Sequence, residues 1–251
     1  MVSDADWISL WRAGRVKVAA GSPRVLHAYE TPTAVVFLTA THAFKLRKPV
    51  SLSYVDYSSQ AQRRLVARTE LAIGARISPQ LYLGVWTLVA AAAPRLMPYD
   101  AAGEPLVVMA RLSHELQLER LFSSLSTAAE RIDDVAAACA AFHARCPSDR
   151  RPDGYGAPAH AARAWASYFA ELARTAVPLP LSAAEQLRLR DETAQRLHEL
   201  TPLLTQRIAE GRVRDGHGDL RLKHVYLTRP WSVIDPLEFS RELRFTDVAA
   251  E

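Results

Sequence analysis

The feature that most constrains the fold is a change of texture near Ser113. Before it, short runs rich in β-branched and aromatic residues alternate with turns; after it, long alanine- and leucine-rich stretches carry helical periodicity. Strands gathered first and helices gathered later predict an α+β protein rather than alternating β-α units. The reading therefore divides the chain into a sheet-rich lobe over residues 1–112 and a helical lobe over 113–251.

Within the first part, "AVVFLTA" and "AFKLRKPV" read as a hairpin turning at Thr41-His42 and closed off by Pro49. The stretch "SSQAQRRLVARTELAIGARI" has helical periodicity, with Leu65, Leu71 and Ile73 as expected core positions and Arg63, Arg64 and Arg68 as a solvated face. "LYLGVWTLVA" and "EPLVVMARL" read as a second strand pair. In the later part, Thr127 with Glu130 and Ser182 with Glu185 have capping-box spacing at the starts of two helices. "PSDRRPDGYGAP" reads as a surface loop, and Trp165, Tyr168 and Phe169 as helical core. Short strands return in "HVYLT" and "WSVID", joined by a turn at Arg229-Pro230.

Bulk properties exclude several classes of function. At 251 residues, 49% hydrophobic and 23% charged, the chain is long enough for two lobes and has none of the composition of disorder. The net charge of +4 comes from scattered basic residues, so no nucleic-acid partner is expected. Cys139 and Cys146 have no CxxC spacing and read as reduced thiols of a cytoplasmic protein. Charged residues interrupt the N-terminal apolar stretch and no run reaches membrane-spanning length, so neither export nor a membrane is expected.

The stretch "DGHGDLRLKHVYL" sets titratable groups and glycines in front of an apolar run. Phosphoryl transfer needs a carboxylate near the attacking hydroxyl, a carboxylate for a phosphate-bridging metal, and a cation for the phosphates. Asp219 fits the first role, with His217 bracing its loop. Asp235, at the end of "WSVID" and brought back by the intervening hairpin, fits the second, since Mg²⁺ prefers carboxylate oxygen. Lys45 on the second strand of the first hairpin fits the third, with Glu70 on the following helix as its ion-pair partner. Asp215, Glu238, Asp247 and His143 read as structural.

The ordered blocks "ET…VVFLT…AFKLRKPV", "LYLGV", "AAFHA", "HGDLRLKHVYL" and "VIDPLEFSRELRFTDVAAE" resemble the aminoglycoside-phosphotransferase-like kinases, from about Glu30 onward. The nearest likeness is to the bacterial group sometimes fused to a P-loop ATPase module, which implies a fused or separate partner of that kind. The resemblance implies a bilobal protein-kinase-like fold, ATP and Mg²⁺ as cofactors, and transfer of the γ-phosphate to a small-molecule hydroxyl acceptor. It does not imply an aminoglycoside acceptor. It places the adenine against Met109 to Leu112, with Met109 and Arg111 as nucleotide contacts.

Three departures from the family pattern stand out. His224 occupies the position, five after Asp219, where the pattern has a metal-binding Asn; imidazole nitrogen is a poorer Mg²⁺ ligand than an amide oxygen, so His224 enters the metal set with Asp235 as a residue that weakens a second metal site. "TPTAVVFLTATHA" holds no glycine, which leaves phosphate grip to Lys45, the metal and the hydroxyls of Thr31 and Thr33. "FTDVAAE" has a helix-start signature at Thr246 and Asp247 and stops after about one turn, so the helical lobe is expected to be C-terminally truncated. These departures define the rival expectation, a pseudokinase that binds nucleotide or a partner without turnover.

Overall fold

The computed structural model describes residues 9–10, 13, 17–18, 25–89, 95–98, 103–122, 132–174 and 180–251. The expected capping box at Thr127 and Glu130 lies outside the described residues. The fold is mixed α+β. Its strands and helices run β1 (Lys17–Val18), β2 (His27–Glu30), β3 (Ala34–Leu38), β4 (His42–Arg47), β5 (Ser51–Leu52), β6 (Val55–Asp56), α1 (Gln60–Ile77), β7 (Tyr82–Val89), β8 (Arg95–Pro98), β9 (Glu104–Ala110), α2 (Leu118–Phe122), α3 (Ile132–Arg145), α4 (Pro158–Arg174), α5 (Ala183–Ala209), β10 (Val213–Asp215), β11 (Val225–Tyr226), β12 (Ser232–Val233), α6 (Arg241–Arg244) and β13 (Phe245–Asp247). No helix of the described residues is long and apolar enough to cross a membrane.

Contacts divide the chain into two compact units, Met1–Ala138 with Leu220–Phe239 and Cys139–Asp219 with Ser240–Glu251. This is a different division from the change of texture at Ser113, because residues 220–239 return to pack with the sheet. The return is anchored by polar contacts at the end of α1. Val233 N–H donates to Ser78 Oγ at 2.8 Å, and the Gln80 amide donates to Ser232 Oγ at 3.1 Å.

The first unit is built on a seven-stranded sheet of order β1-β8-β7-β9-β4-β3-β2. β1 pairs parallel with β8, and the other six strands are antiparallel. Both expected strand pairs form, β3 with β4 and β7 with β9. Alternation along each strand sorts side chains between two faces. Phe44 and Leu46 of β4 join Leu106 and Val108 of β9 in one buried cluster. Ala43 joins Val107, Met109 and Ala67 of α1 in the other. By the same alternation Lys45 and Arg47 fall on the α1 face. A register shift between β7 and β9 at Tyr82/Gly84 is a bulge, the kind of irregularity that re-aims a side chain.

Helix α1 starts at Ser59, whose Oγ accepts from Gln62 N–H at 3.2 Å. Its buried face differs from the expected one. Ile73 is buried, but Leu65 is 60% exposed and Arg63 is 5% exposed, so the polar stripe read as solvated contains a core position. The reason is a partner in β9: Arg63 donates through Nε and Nη2 to the Glu104 carboxylate, and through Nη1 to the Tyr57 and Ser58 carbonyls. A guanidinium satisfied in this way can be buried where a lone charge cannot.

In the second unit α4 packs on α5, and α5 opens with the expected capping box at Ser182 and Glu185. Trp165 and Tyr168 are 47% and 49% exposed, and no α4 residue is buried, so the aromatic cluster flanks an open groove instead of forming core. That groove, about 670 Å³, is lined on the α4 side by alanines with Trp165 and Phe169 and on the α5 side mostly by polar residues such as Arg190, Asp191 and His198, and none of the predicted site residues faces it. Residues Phe245–Asp247, expected to start a helix, form strand β13 antiparallel to β10. The pairing is reinforced by a buried Arg244–Asp215 ion pair at 2.8 Å and by Arg207 on Asp247.

Candidate active site

A cavity of about 450 Å³ opens in the first unit, within the range of about 300–1,000 Å³ common for small-molecule sites. Met109, Arg111 and Leu112 line one side, and Lys45, Glu70 and Asp235 converge at its polar end. The backbone of the Met109–Leu112 stretch is partly committed: Ala110 N–H donates to Leu81 O at 2.9 Å and Arg111 N–H to Thr41 O at 2.8 Å. The Arg111 guanidinium reaches the Thr39 carbonyl at 3.4 Å.

Lys45 is the hub. Its Nζ donates to Glu70 Oε1 at 2.8 Å and to Asp235 Oδ1. Glu70 is fully buried, whereas the Asp235 side chain is half exposed, so one carboxylate anchors the ammonium and the other faces the cavity. Burial and Arg47 pull the Lys45 pKa down, but Asp235, Glu70 and Glu238 outweigh them and hold it above its ordinary value. Lys45, opposed by burial, holds the Asp235 carboxyl well below the usual carboxylate range. Both groups are therefore charged at neutral pH.

Asp235 also has an unusual backbone. Its φ of 62° lies in the left-handed region, which Asp tolerates better than most residues. Its N–H donates to the hydroxyl of Tyr82 at 3.1 Å, a residue that stands at the register shift between β7 and β9. Tyr82 in turn lies so close to Gly74 of α1 that any side chain at 74 would collide with its ring. His224 is buried, with Nε2 3.9 Å from Asp235 Oδ2, and its carbonyl accepts from Ile234 N–H at 2.9 Å. Thr31 does not present a free hydroxyl: Oγ1 accepts from Ala34 N–H at 3.0 Å, and its carbonyl accepts from Lys48 Nζ at 2.7 Å.

The loop bearing Asp219 belongs to the second unit. His217 is fully buried, and its Nδ1 accepts from Asp219 N–H at 3.3 Å. Gly218, at φ 84°, turns its N–H onto Glu251 Oε1, while Glu251 Oε2 accepts from His143 Nε2 at 2.8 Å. Burial acts to raise the Glu251 pKa, but the bonds from His143 and Gly218 outweigh it and keep the carboxyl below its ordinary value. His143, read as a packed structural histidine, thus holds the group that holds the loop.

Sequence reasoning missed Arg47, Tyr57, Tyr82 and Glu251, and read Glu238 as structural without its partners. Arg47 had a signal, since it stands two residues from Lys45 on one strand face. The partners of the others lie too far away in sequence to be paired by spacing.

The chain is similar to an uncharacterized protein of Mycobacterium bovis and to two uncharacterized proteins of Mycobacterium tuberculosis, 31% identical over 220 residues in each case. The match covers 87% of this chain and 42% of each relative, so the chain spans less than half the length of the curated relatives it matches. No family model matches the chain, and no solved structure matches it.

Proposed function

We propose that the chain has a protein-kinase-like fold and acts as an ATP-dependent phosphotransferase, moving the γ-phosphate of ATP to a small-molecule hydroxyl. The observation that carries the reading is Lys45, bonded at once to buried Glu70 and to cavity-facing Asp235. An ammonium fixed in this way presents a positioned N–H donor to an anionic ligand, and the strands and α1 hold it in place before binding. The apolar side of the cavity beside Met109 suits a flat base.

The residues at the polar end also fit a divalent cation. Among the described residues no three His, Cys, Asp or Glu side chains cluster as an all-protein cage. Asp235 suits Mg²⁺, which takes one or two carboxylates and completes its shell with phosphate and water, whereas the imidazole of His224 beside it is a poorer donor for that ion. When bound, that cation would neutralise charge on the phosphates.

Asp219 is assigned from its place in "HGDL", and the loop geometry around His217 and Gly218 gives it a fixed backbone. In the proposed reaction the acceptor hydroxyl gives its proton to the Asp219 carboxylate. Its oxygen forms a bond to the γ-phosphorus, and the bond from that phosphorus to the β,γ-bridging oxygen breaks, releasing ADP.

The test is γ-phosphate transfer from ATP with Mg²⁺ to a panel of sugars, aminoglycosides and amino alcohols, with nucleotide binding followed by calorimetry. Asp219→Asn is expected to abolish turnover with nucleotide affinity kept, and Asp235→Asn to weaken Mg²⁺-dependent binding. Failure of the wild type to bind any nucleoside triphosphate overturns the reading. One observation favours the rival pseudokinase: Thr31 is committed within its own turn, which leaves fewer groups for the phosphates. Nucleotide binding without turnover, unchanged in Asp219→Asn, would select that rival.

A further inference from the structure

Two cations on one strand face share the same buried carboxylate. Lys45 takes Glu70 Oε1, and Arg47 Nη2 takes Glu70 Oε2 at 2.7 Å. The same Arg47 nitrogen reaches Glu238 Oε1 at 2.7 Å, and Glu238 accepts from the Tyr57 hydroxyl at 2.7 Å. The guanidinium also lies over the Tyr57 ring, 5.4 Å from its centroid. Side-chain exposure is 7% for Arg47, 0% for Glu70 and 5% for Glu238, so the chain of pairs is shielded from water.

Glu238 stands three residues after Asp235, which makes the arrangement a double link. Lys45 joins α1, through Glu70, to Asp235; Arg47 joins α1, through the same Glu70, to Glu238. One ammonium contact is a pivot, because Lys presents a rotatable point charge. Two contacts along residues 235–238 fix a direction as well as a position, and the planar guanidinium, which makes both carboxylate contacts through Nη2, is oriented by the Tyr57 ring. This accounts for how Asp235 is kept at φ 62°, a conformation that persists only when its surroundings over-determine it.

We propose that Arg47 is a positioning residue that locks α1 and the Asp235 segment into one rigid piece, so that Lys45 and Asp235 face the cavity in fixed register before any ligand arrives. Neither α1 nor the Asp235 segment can shift alone without stranding a buried carboxylate, which is strongly disfavoured. The functional consequence rests on the nucleotide-site reading above; the lock itself does not.

The test compares the wild type with Arg47→Met and with the double variant Arg47→Met/Glu238→Gln. Arg47→Met strands Glu238 and should lower Tm, and the double variant should regain most of that Tm because the stranded charge is gone. The lock predicts that hydrogen exchange over residues 66–74 and 234–239, and the affinity for Mg²⁺ with a non-hydrolysable ATP analogue, stay impaired by about tenfold in the double variant. A merely structural Arg47 predicts that both recover with Tm, and that result overturns the proposal. If Arg47→Met does not fold, Arg47→Lys replaces it, since an ammonium keeps the charge but not the planar group that lies over the Tyr57 ring. Two outcomes separate this inference from the nucleotide reading. Exchange that behaves as expected in a wild type that binds no analogue keeps the lock and removes the nucleotide. Analogue binding with unchanged exchange in every variant does the reverse.

Discussion

Replacing Glu104 by Gln tests whether α1 is held by the Arg63 ion pair. The pair is almost dry, with side-chain exposures of 6% and 7%, and two of the guanidinium nitrogens bond the carboxylate. Gln keeps the shape but removes the charge, and turns one acceptor into a donor facing another donor. Breaking a buried pair from one side costs about 3–5 kcal/mol. The Tyr57 and Ser58 carbonyls still accept from Arg63 Nη1 at 2.8 and 2.9 Å, which places the expected loss near the lower bound, about 3 kcal/mol. For a chain of this length, about 2–4 °C per kcal/mol converts this to a Tm drop of roughly 6–12 °C. Removing both charges, Arg63→Met with Glu104→Leu, should return part of the lost Tm, because no uncompensated ion is left although the Tyr57 and Ser58 carbonyls lose their donor. Thermal melts by circular dichroism, supported by urea titration, read both variants. A Glu104→Gln melt within 2 °C of wild type, or a double variant as unstable as the single one, refutes the reasoning (both thresholds being about the resolution of the conversion used).

Gly74→Ala should drive a methyl into the buried Tyr82 ring and cost about 1–3 kcal/mol, read as a lower urea midpoint; an unchanged midpoint would contradict the packing. The folded-state pKa of Asp235 is depressed, so its contribution to stability is present above its unfolded value and is lost as pH falls through the folded one. That of Lys45 is raised, so its contribution is present below its unfolded value and is lost as pH rises through the folded one. The stability difference between wild type and Asp235→Asn should therefore stay constant across the neutral range and shrink on acidification below about pH 4, as pH-dependent melts would show. Glu251→Gln should weaken the bond to Gly218 and speed exchange of that amide by about tenfold, measured by heteronuclear NMR, and unchanged protection would count against the His143–Glu251 brace.

The four central strands of the sheet were legible because alternating apolar residues and turn chemistry are local signals, and they specified the pairs β3/β4 and β7/β9; the short flanking strands β1, β2 and β8 carry too little of either signal and were not read. The buried face of α1 was not, because periodicity counts Arg63 as polar and cannot know that Glu104 waits 41 residues away. Trp165 and Tyr168 misled for a related reason: an apolar stripe says that a face wants covering, not what covers it. At the polar end of the cavity, order along the chain was enough to name Lys45, Glu70 and Asp235 as a set. Arg47 escaped because, alone, it looks like an ordinary surface charge on a strand; Glu238 was read as structural, but its partners Arg47 and Tyr57 lie too far away in sequence to be named. The helix expected at Thr246 became a strand because β10 offers backbone partners there, and tertiary pairing overrides a local start signal.

The return of residues 220–239 to the sheet also sets a timetable for synthesis. Asp235 follows Lys45 by 190 residues, an interval of roughly 10–40 s at the usual ~5–20 residues per second of a ribosome. During that time the nascent sheet holds Lys45 and Arg47 on its α1 face with Glu70 as their one partner from the network, and Asp235 and Glu238 are still unmade. A ribosome stalled anywhere between β9 and Leu220 therefore carries a sheet whose charges are unbalanced, and a segment made well after the sheet is the one that closes the unit.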